Sequence, residues 1–563
     1  MNASRISSAR LVLFLTLLGA FFAFTHIRLA WTDGDEGRYL AISSSIAKGL
    51  GQVEEYFPDP QPETITPSGY VWYLAAWIRV FGQNRLTWVR LSSVLPFVAF
   101  VACFSAFVLR RTRNRWGAWA AVCVVVFGAF QVQLLRYAWN LMSETNFLLP
   151  VYLAFALQEK ETARNREPVW LAAVLGALAA WSTLVRPVGV ALALAGGICF
   201  LVRRRWWPLL AFCSGFGVCY LPQVVRTWCL AGVPFAHMTH YHSDASFFQS
   251  VAALASTTWK GFVGYFFRSL PSDLFFFLFG GGGWLAKIGL SAISLPLMWL
   301  VSALVALGFV RRVSRIRMAE WFWLVFWPLV CTYDIGTEAH TPGAFRFNPR
   351  FLAPVLPLAA LYFAEAVDWI CSALSRLSKR PLPLRTALFS SLAAYTFLVS
   401  LAVSAVCIKN AWRFRGLPSW SPARVASSGD ADDIAFARFI ETAEWAAAHL
   451  PSNAVIASRK PQQTFLFSGL KGFRYDFDWL DASNHDVWQN ALAYRRYGPV
   501  YLLQDAFPPS GGYGNTRVTL LDPLIAAHQP DLALVYSSAD PVTRLWRVSP
   551  SLPQSQEDAP RPR

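Results

Sequence analysis

The chain has 563 residues and a formal net charge of +17, with 55% hydrophobic residues against 15% charged. Its apolar residues are not spread as in a soluble globular protein but gather in runs of about 16 to 24, the length that crosses a hydrocarbon core as a helix. The basic residues sit in short connections between those runs, which excludes a nucleic-acid binder and leaves membrane lipids as the surroundings of a polytopic α-helical membrane protein.

The first run, Leu11–Trp31, is longer than a signal-peptide core and lacks a small-x-small cleavage site after it, so it reads as an uncleaved anchor. It leads straight into Thr32-Asp33-Gly34-Asp35-Glu36-Gly37-Arg38-Tyr39. Charge held where a span leaves the bilayer is costly and marks a candidate site. The plain alternative is that Asp35 caps a helix starting at Glu36, with Asp33 and Arg38 solvated. A cap needs one such residue, not an acidic trio. Tyr39–Leu50 has a weak amphipathic pattern. Ser68–Phe81 is apolar and aromatic but too short to span, and suits a helix lying in the interface.

Ten further spans follow: Leu86–Leu109, Ala118–Leu135, Thr145–Leu157, Val169–Val185, Val188–Val202, Pro208–Trp228, Ile288–Val310, Glu320–Thr332, Phe351–Ala373 and Thr386–Ile408. The basic clusters fall at Arg110–Arg115, Arg203–Arg205, Arg311–Arg317 and Arg376–Arg385. Counted from a cytoplasmic N-terminus carrying Arg5 and Arg10, all of them lie inside, as the positive-inside rule requires. About eleven spans then place the chain's tail outside.

The unusual polar features all fall on the outer side. Arg136 and Glu144 bracket a short turn, Arg186-Pro187 separates two apolar runs, and Arg346-Phe347-Asn348-Pro349-Arg350 precedes Phe351. Arg186 lies in a loop of almost no length, so its charge needs an internal partner. Guanidinium groups grip phosphate bidentately, and carboxylates beside phosphate-binding arginines at a membrane surface suggest a reaction on a lipid-linked phosphate. For Arg226 and Arg268 the ordinary reading is snorkelling to lipid headgroups. His237, His240 and His242 lack a carboxylate or cysteine partner at metal-site spacing, and Gly280–Gly283 has no following Lys-Ser/Thr and is no P-loop. The nine cysteines form no disulfide framework and no Cys-x-x-Cys pair.

After Asn410 the composition changes. Asp432–Leu450 reads as an amphipathic helix, with short strands at Ala454–Ser458, Val500–Leu503, Leu532–Tyr536 and Arg544–Val548. The expected division is a transmembrane part, 1–408, whose outer segment 32–85 carries the acidic motif, then a small extracytoplasmic α/β domain, 409–551, and a disordered Pro- and Ser-rich tail, 552–563.

The order of these motifs resembles the GT-C glycosyltransferases, in particular the branch of the protein O-mannosyltransferases and the aminoarabinose transferases that modify lipid A. The resemblance rests on Asp35-Glu36-Gly37-Arg38-Tyr39, on Thr66-Pro67-Ser68-Gly69-Tyr70-Val71-Trp72-Tyr73 with Phe81-Gly82, and on Val89-Arg90-Leu91-Ser92-Ser93. Ser143-Glu144, Arg186-Pro187 and Arg350-Phe351-Leu352-Ala353-Pro354 continue it over roughly the first 370 residues. Where members often carry Lys or another polar residue before a Pro-Pro pair, this chain has Ile65-Thr66-Pro67-Ser68.

The resemblance implies inverting transfer of a sugar from a polyprenyl-phosphate donor to a lipid, glycan or protein acceptor on the outer, periplasmic face of the inner membrane. It assigns Asp35 as general base with Glu36 beside it at the catalytic position, and Arg186, Arg346 and Arg350 to the donor phosphate. Arg38, Tyr39, Arg136 and Glu144 then orient the site or the acceptor. Arginines can carry a monophosphate leaving group, so no cofactor is required, although a divalent cation is compatible with the chemistry. The alternatives are a polysaccharide polymerase or ligase using a lipid-linked glycan and, less well matched, a lipid or solute transporter.

Overall fold

The computed structural model describes residues 8–25, 34–64, 66–83, 85–162, 168–232, 234, 270–279, 291–338, 352–378, 384–415, 421–426, 431–474, 487–505 and 521–549. Helices α1 (Ser8–Thr25), α2 (Gly34–Ala47), α3 (Ser68–Phe81), α4 (Leu86–Trp116), α5 (Ala118–Ala129) and α6 (Val132–Tyr137) come first. They are followed by α7 (Glu144–Thr162), α8 (Val169–Val185), α9 (Val190–Val202), α10 (Trp206–Ala231), α11 (Leu270–Phe279), α12 (Ser291–Val310), α13 (Met318–Glu338), α14 (Leu356–Ser378) and α15 (Leu384–Arg413). Among the described residues, α1, α4, α10, α12, α14 and α15 are long and apolar enough to cross a membrane, with shorter apolar helices at α5, α8, α9 and α13. This is a multi-pass helical membrane protein.

Each expected span meets a helix, with two instructive differences. The run Ala118–Leu135 is broken between α5 and α6, where Gln131 turns to extended backbone. The Phe130 carbonyl exposed by the break accepts a hydrogen bond from Ser400 Oγ of α15 at 2.7 Å, which satisfies it within the bundle. The short Thr145–Leu157 run is extended at both ends into α7, a largely buried helix in which Glu144, Gln158 and Glu159 lie inside the bundle.

The core runs along α4, α7 and α13. Tyr152 packs edge-on against Phe100 and Phe104, and Phe155 bridges Phe107 and Phe322. At one end of this stack the basic connections find buried acidic partners. Arg111 pairs with Glu159 at 3.1 Å and with Glu320, Arg115 with Glu365 at 2.5 Å and with Asp368, and Arg385 with Asp368 at 3.1 Å. Arg317 joins Glu159 and Arg312 joins Glu365. Exposed Trp119, Trp170, Trp206 and Trp207 open α5, α8 and α10 at this end, while Trp88 and Trp228 lie at the other, the two-belt placement expected of amphipathic rings at membrane interfaces.

The C-terminal region forms α16 (Pro422–Ala426), α17 (Ala431–His449), β1 (Val455–Ser458), α18 (Pro461–Ser468), β2 (Lys471–Arg474), α19 (Val487–Tyr494), β3 (Val500–Gln504), α20 (Leu521–Ala527), β4 (Leu532–Ser537) and β5 (Arg544–Val548). The strands make one mixed sheet in the order β2-β1-β3-β5-β4, parallel across its first three strands and antiparallel beyond. Residue parity decides the layers. Ile456 and Leu503 pack with Phe436 and Ile440 of α17, while Val455, Ala457 and Leu502 pack with Trp488 and Ile525 of α19 and α20. Strand β2 was not expected, because Lys471-Gly472-Phe473-Arg474 has the polarity of a loop; it forms as an edge paired to β1. The tail 552–563 lies outside the described residues.

Candidate active site

The ends of α2, α3, α4, α7 and α8 converge opposite the Arg–carboxylate lattice. Helix α2 begins Gly34-Asp35-Glu36, so both carboxylates lie in its first turn, where free backbone N–H groups favour negative charge. Their surroundings differ. Asp35 is half-buried, whereas Glu36 is fully buried and its Oε1 accepts the backbone N–H of Leu141 at 2.7 Å. Glu36 therefore ties α2 to the turn between Arg136 and Glu144.

Three residues on, Glu144 opens α7 and accepts a hydrogen bond from Arg186 Nη1. Both side chains are buried, and Arg186 sits at the extended C-cap of α8 before the short 3₁₀ turn Pro187–Gly189. A charge there is retained only with a partner, and Glu144 supplies one. Helix α3 closes the group. Tyr70 is fully buried, its ring packs edge-on against Tyr39 at 4.9 Å, and burial, with Glu36, Tyr39 and Glu144 close by, pushes its hydroxyl pKa up. Gly69 makes this approach possible: a Cβ there would lie 2.8 Å from the Leu184 carbonyl carbon, two residues before Arg186.

A second charged cluster lies in the segment 32–85. Arg38 Nη2 donates to Glu63 Oε2 at 2.8 Å and lies 3.6 Å from Glu54, which also accepts from Tyr56 OH. Thr66 N donates to Glu63 Oε1 at 2.8 Å, and Arg226 Nη2 donates to the Glu63 and Gln52 carbonyls at 2.6 and 3.3 Å. Burial pushes Glu54 up to about 8, reinforced by the neighbouring Glu63 charge. Burial acts the same way on Glu63 and is the largest single influence, but the Arg38 charge and the hydrogen bonds from Glu54, Arg38 and Thr66 together outweigh it and hold Glu63 well below the usual carboxylate range. Arg226 thus corrects the snorkelling expectation: its guanidinium turns inward to hold the loop that carries the acidic motif.

No family model and no curated protein matches the chain. Among solved structures it superposes on ArnT from Cupriavidus metallidurans bound to undecaprenyl phosphate with a TM-score of 0.53 at 14% identity, covering 97% of this chain and 99% of that one. ArnT in its apo state gives 0.50 at 14% identity, over 96% of this chain and 97% of that one. The Archaeoglobus fulgidus oligosaccharyltransferase in complex with Zn and sulfate gives 0.51 at 12% identity, over 87% of this chain and 67% of that one. Both proteins are GT-C glycosyltransferases. The chain has the GT-C fold.

Within this GT-C fold, Glu36, Tyr39, Glu144 and Arg186 come together, with Asp35 on the same turn of α2. Arg38 is engaged by Glu63 and so orders the loop. Arg136, half-buried at the end of α6, makes no ion pair among the described residues. Asp33, Arg268, Arg346 and Arg350, the three histidines of 237–242 and Gly280–Gly283 lie outside the described residues. Among the described residues no group of three or more His, Cys, Asp or Glu is placed to hold a metal ion. Sequence reasoning missed Glu54, Glu63 and Tyr70. Glu54 and Glu63 lie in a Pro-rich stretch without periodicity, where only folding reveals their partner, and Tyr70 looks like any aromatic of an interfacial helix.

Proposed function

We propose that this protein is a membrane glycosyltransferase that moves a sugar from a polyprenyl-phosphate donor to an acceptor hydroxyl at the extracytoplasmic face, with inversion. The observation that carries the reading is the meeting of the Asp35-Glu36 turn with the Glu144–Arg186 pair at one end of a GT-C bundle. A half-buried carboxylate beside a braced guanidinium is what this reaction needs.

In the proposed step the acceptor oxygen attacks the anomeric carbon, Asp35 takes the hydroxyl proton, and the bond from that carbon to the phosphate oxygen breaks. The polyprenyl phosphate leaves with the electron pair, and Arg186 stabilises the charge that develops on it. Arg346 and Arg350 are assigned to the same phosphate from the segment before α14. Glu144 holds Arg186 in place, and Glu36 braces the turn that positions Glu144. The solved ArnT complex contains undecaprenyl phosphate, which supports a lipid monophosphate as the ligand class. Buried charge at the two ends of the bundle rather than at its middle disfavours a transport pathway. The likeness to an oligosaccharyltransferase keeps a second reading, in which the donor carries a lipid-linked glycan instead of a single sugar.

The test is comparative. A deletion strain should accumulate a lipid-linked sugar and lose one surface modification, both restored by the parent gene but not by Asp35→Asn. Unchanged lipid-linked sugars and surface glycans in the deletion strain would refute the proposal.

A further inference from the structure

The C-terminal domain meets the acidic motif through one short helix. Gln462 and Gln463 are adjacent in the first turn of α18, and each reaches the motif by its own route. Gln462 Nε2 donates to Tyr56 OH at 3.1 Å; Tyr56 bonds Glu54, and Glu54 faces Arg38. Gln463 is buried directly against Gly37, where an added Cβ would come within 2.6 Å of its Cδ and 2.7 Å of its Nε2. Thus α18 touches Gly37 directly and reaches Arg38 through Tyr56 and Glu54, and Gly37 and Arg38 are the two residues immediately after the Asp35-Glu36 pair.

The contact is broad as well as specific. Gly472 N donates to the Tyr56 carbonyl at 2.8 Å, Lys48 stands 5.7 Å over the Phe465 ring, and Leu466 packs on the helical core. In return, Phe57 of the segment 32–85 packs into one layer of the C-terminal domain. Helix α2 is held on one side by Glu36 against the bundle and on the other by α18.

We propose that Gln462 and Gln463 are positioning residues of the candidate active site, fixing where α2 presents Asp35, so that the C-terminal domain is a working part of that site. Its catalytic consequence rests on the reading of Asp35 as general base; its structural content does not. A base displaced by an ångström can lose about 10²-fold in rate, so a snug contact one turn away is enough to matter.

The test uses the full-length protein in one detergent, with Gly37→Ala, Gln463→Ala, the double variant and Gln462→Ala, reading hydrogen exchange of the α2 amides beside sugar transfer. Alanine is a better helix former than glycine, so any loosening of α2 by Gly37→Ala comes from the collision with Gln463. Gly37→Ala should speed α2 exchange and lower kcat by roughly tenfold with donor KM nearly unchanged. Gln463→Ala and Gln462→Ala should each loosen α2 more mildly, and the double variant should recover most of the loss because the missing side chain makes room. A double variant as impaired as Gly37→Ala, or α2 exchange unchanged in every variant, would overturn the positioning role. Exchange that changes as expected in a protein whose parent form transfers no sugar would refute the Asp35 assignment and leave the positioning role standing.

Discussion

Asp35 and Glu36 are neighbours in sequence with unlike surroundings, and that difference divides their roles. Glu36 is buried with a backbone N–H on its Oε1, so its first duty is to hold the 138–144 turn. Asp35 is half-buried on the same turn of helix and is the better placed to meet an acceptor. Asparagine caps a helix as well as aspartate but cannot take a proton, so Asp35→Asn should keep expression and melting temperature while sugar transfer by the purified enzyme falls about 10²-fold or more. Near-parental turnover would reduce Asp35 to a cap. Asp33→Asn is the matched comparison and should be milder. At Arg186, replacement by Lys keeps the charge that Glu144 requires but loses the two-pronged grip, so undecaprenyl phosphate binding should weaken by roughly tenfold. Binding equal to the parent's would make Arg186 a structural partner of Glu144 alone. The acidic motif and Arg186 were legible in the sequence because a charge beside a long apolar run has few innocent explanations. Their partners were not: Arg38 and Glu63 are 25 positions apart, Arg186 and Glu144 are 42 apart, and no local pattern announces such pairings.

Helices were the most legible elements, since a run of apolar residues fixes both the type and the approximate length of a span. Their ends were less so. Helix α4 continues past Leu109 to Trp116, where Arg111 and Arg115 pair with carboxylates on other helices, and no local pattern in the sequence links them to the acids that receive them, Glu159, Glu320, Glu365 and Asp368. The segment 32–85 hid its order for the same reason. Its carboxylate pair, buried Glu63 and half-buried Glu54, also makes it sensitive to pH. Glu54 is pushed up to about 8 from an ordinary 4.5, so its contribution to stability is full below about 4.5 and is lost as pH rises through 8. Glu63, held low by Arg38, contributes above the ordinary carboxylate range, and that contribution is lost as pH falls toward 2. The segment should therefore be firmest in weakly acidic solution. The melting temperature of the parent should fall as pH rises from about 4.5 to about 8, and Glu54→Gln, which keeps a hydrogen-bond donor toward Glu63 without a titrating proton, should flatten that decline. An identical slope in the two proteins would show that Glu54 does not govern it.

At the scale of the whole molecule, charge is gathered at the two ends of the bundle and the ends are chemically different. One holds a lattice of arginines from the connections 110–115, 311–317 and 385 on acids from α7, α13 and α14. The other holds the Asp35-Glu36 turn, the Glu144–Arg186 pair and the docked C-terminal domain. Helices α4, α7 and α13 run between them, with α7 carrying Glu144 at one end and Glu159 at the other, so the two ends cannot share one side of a membrane. Because excess Lys and Arg in short connections are retained in the cytoplasm, we propose that the lattice end faces inward and the carboxylate–arginine end outward. A topology reporter fused after Arg115, Arg205 or Arg317 should then register cytoplasm, and one fused after Asn410 should register the extracytoplasmic side. The Asn410 fusion is the decisive one, because the docking of α18 on α2 requires the C-terminal domain and the acidic motif to share a compartment. A cytoplasmic signal there, with cytoplasmic signals also at the basic connections, would break the eleven-span count. It would also separate the lipid-phosphate site from the face on which the proposed transfer takes place.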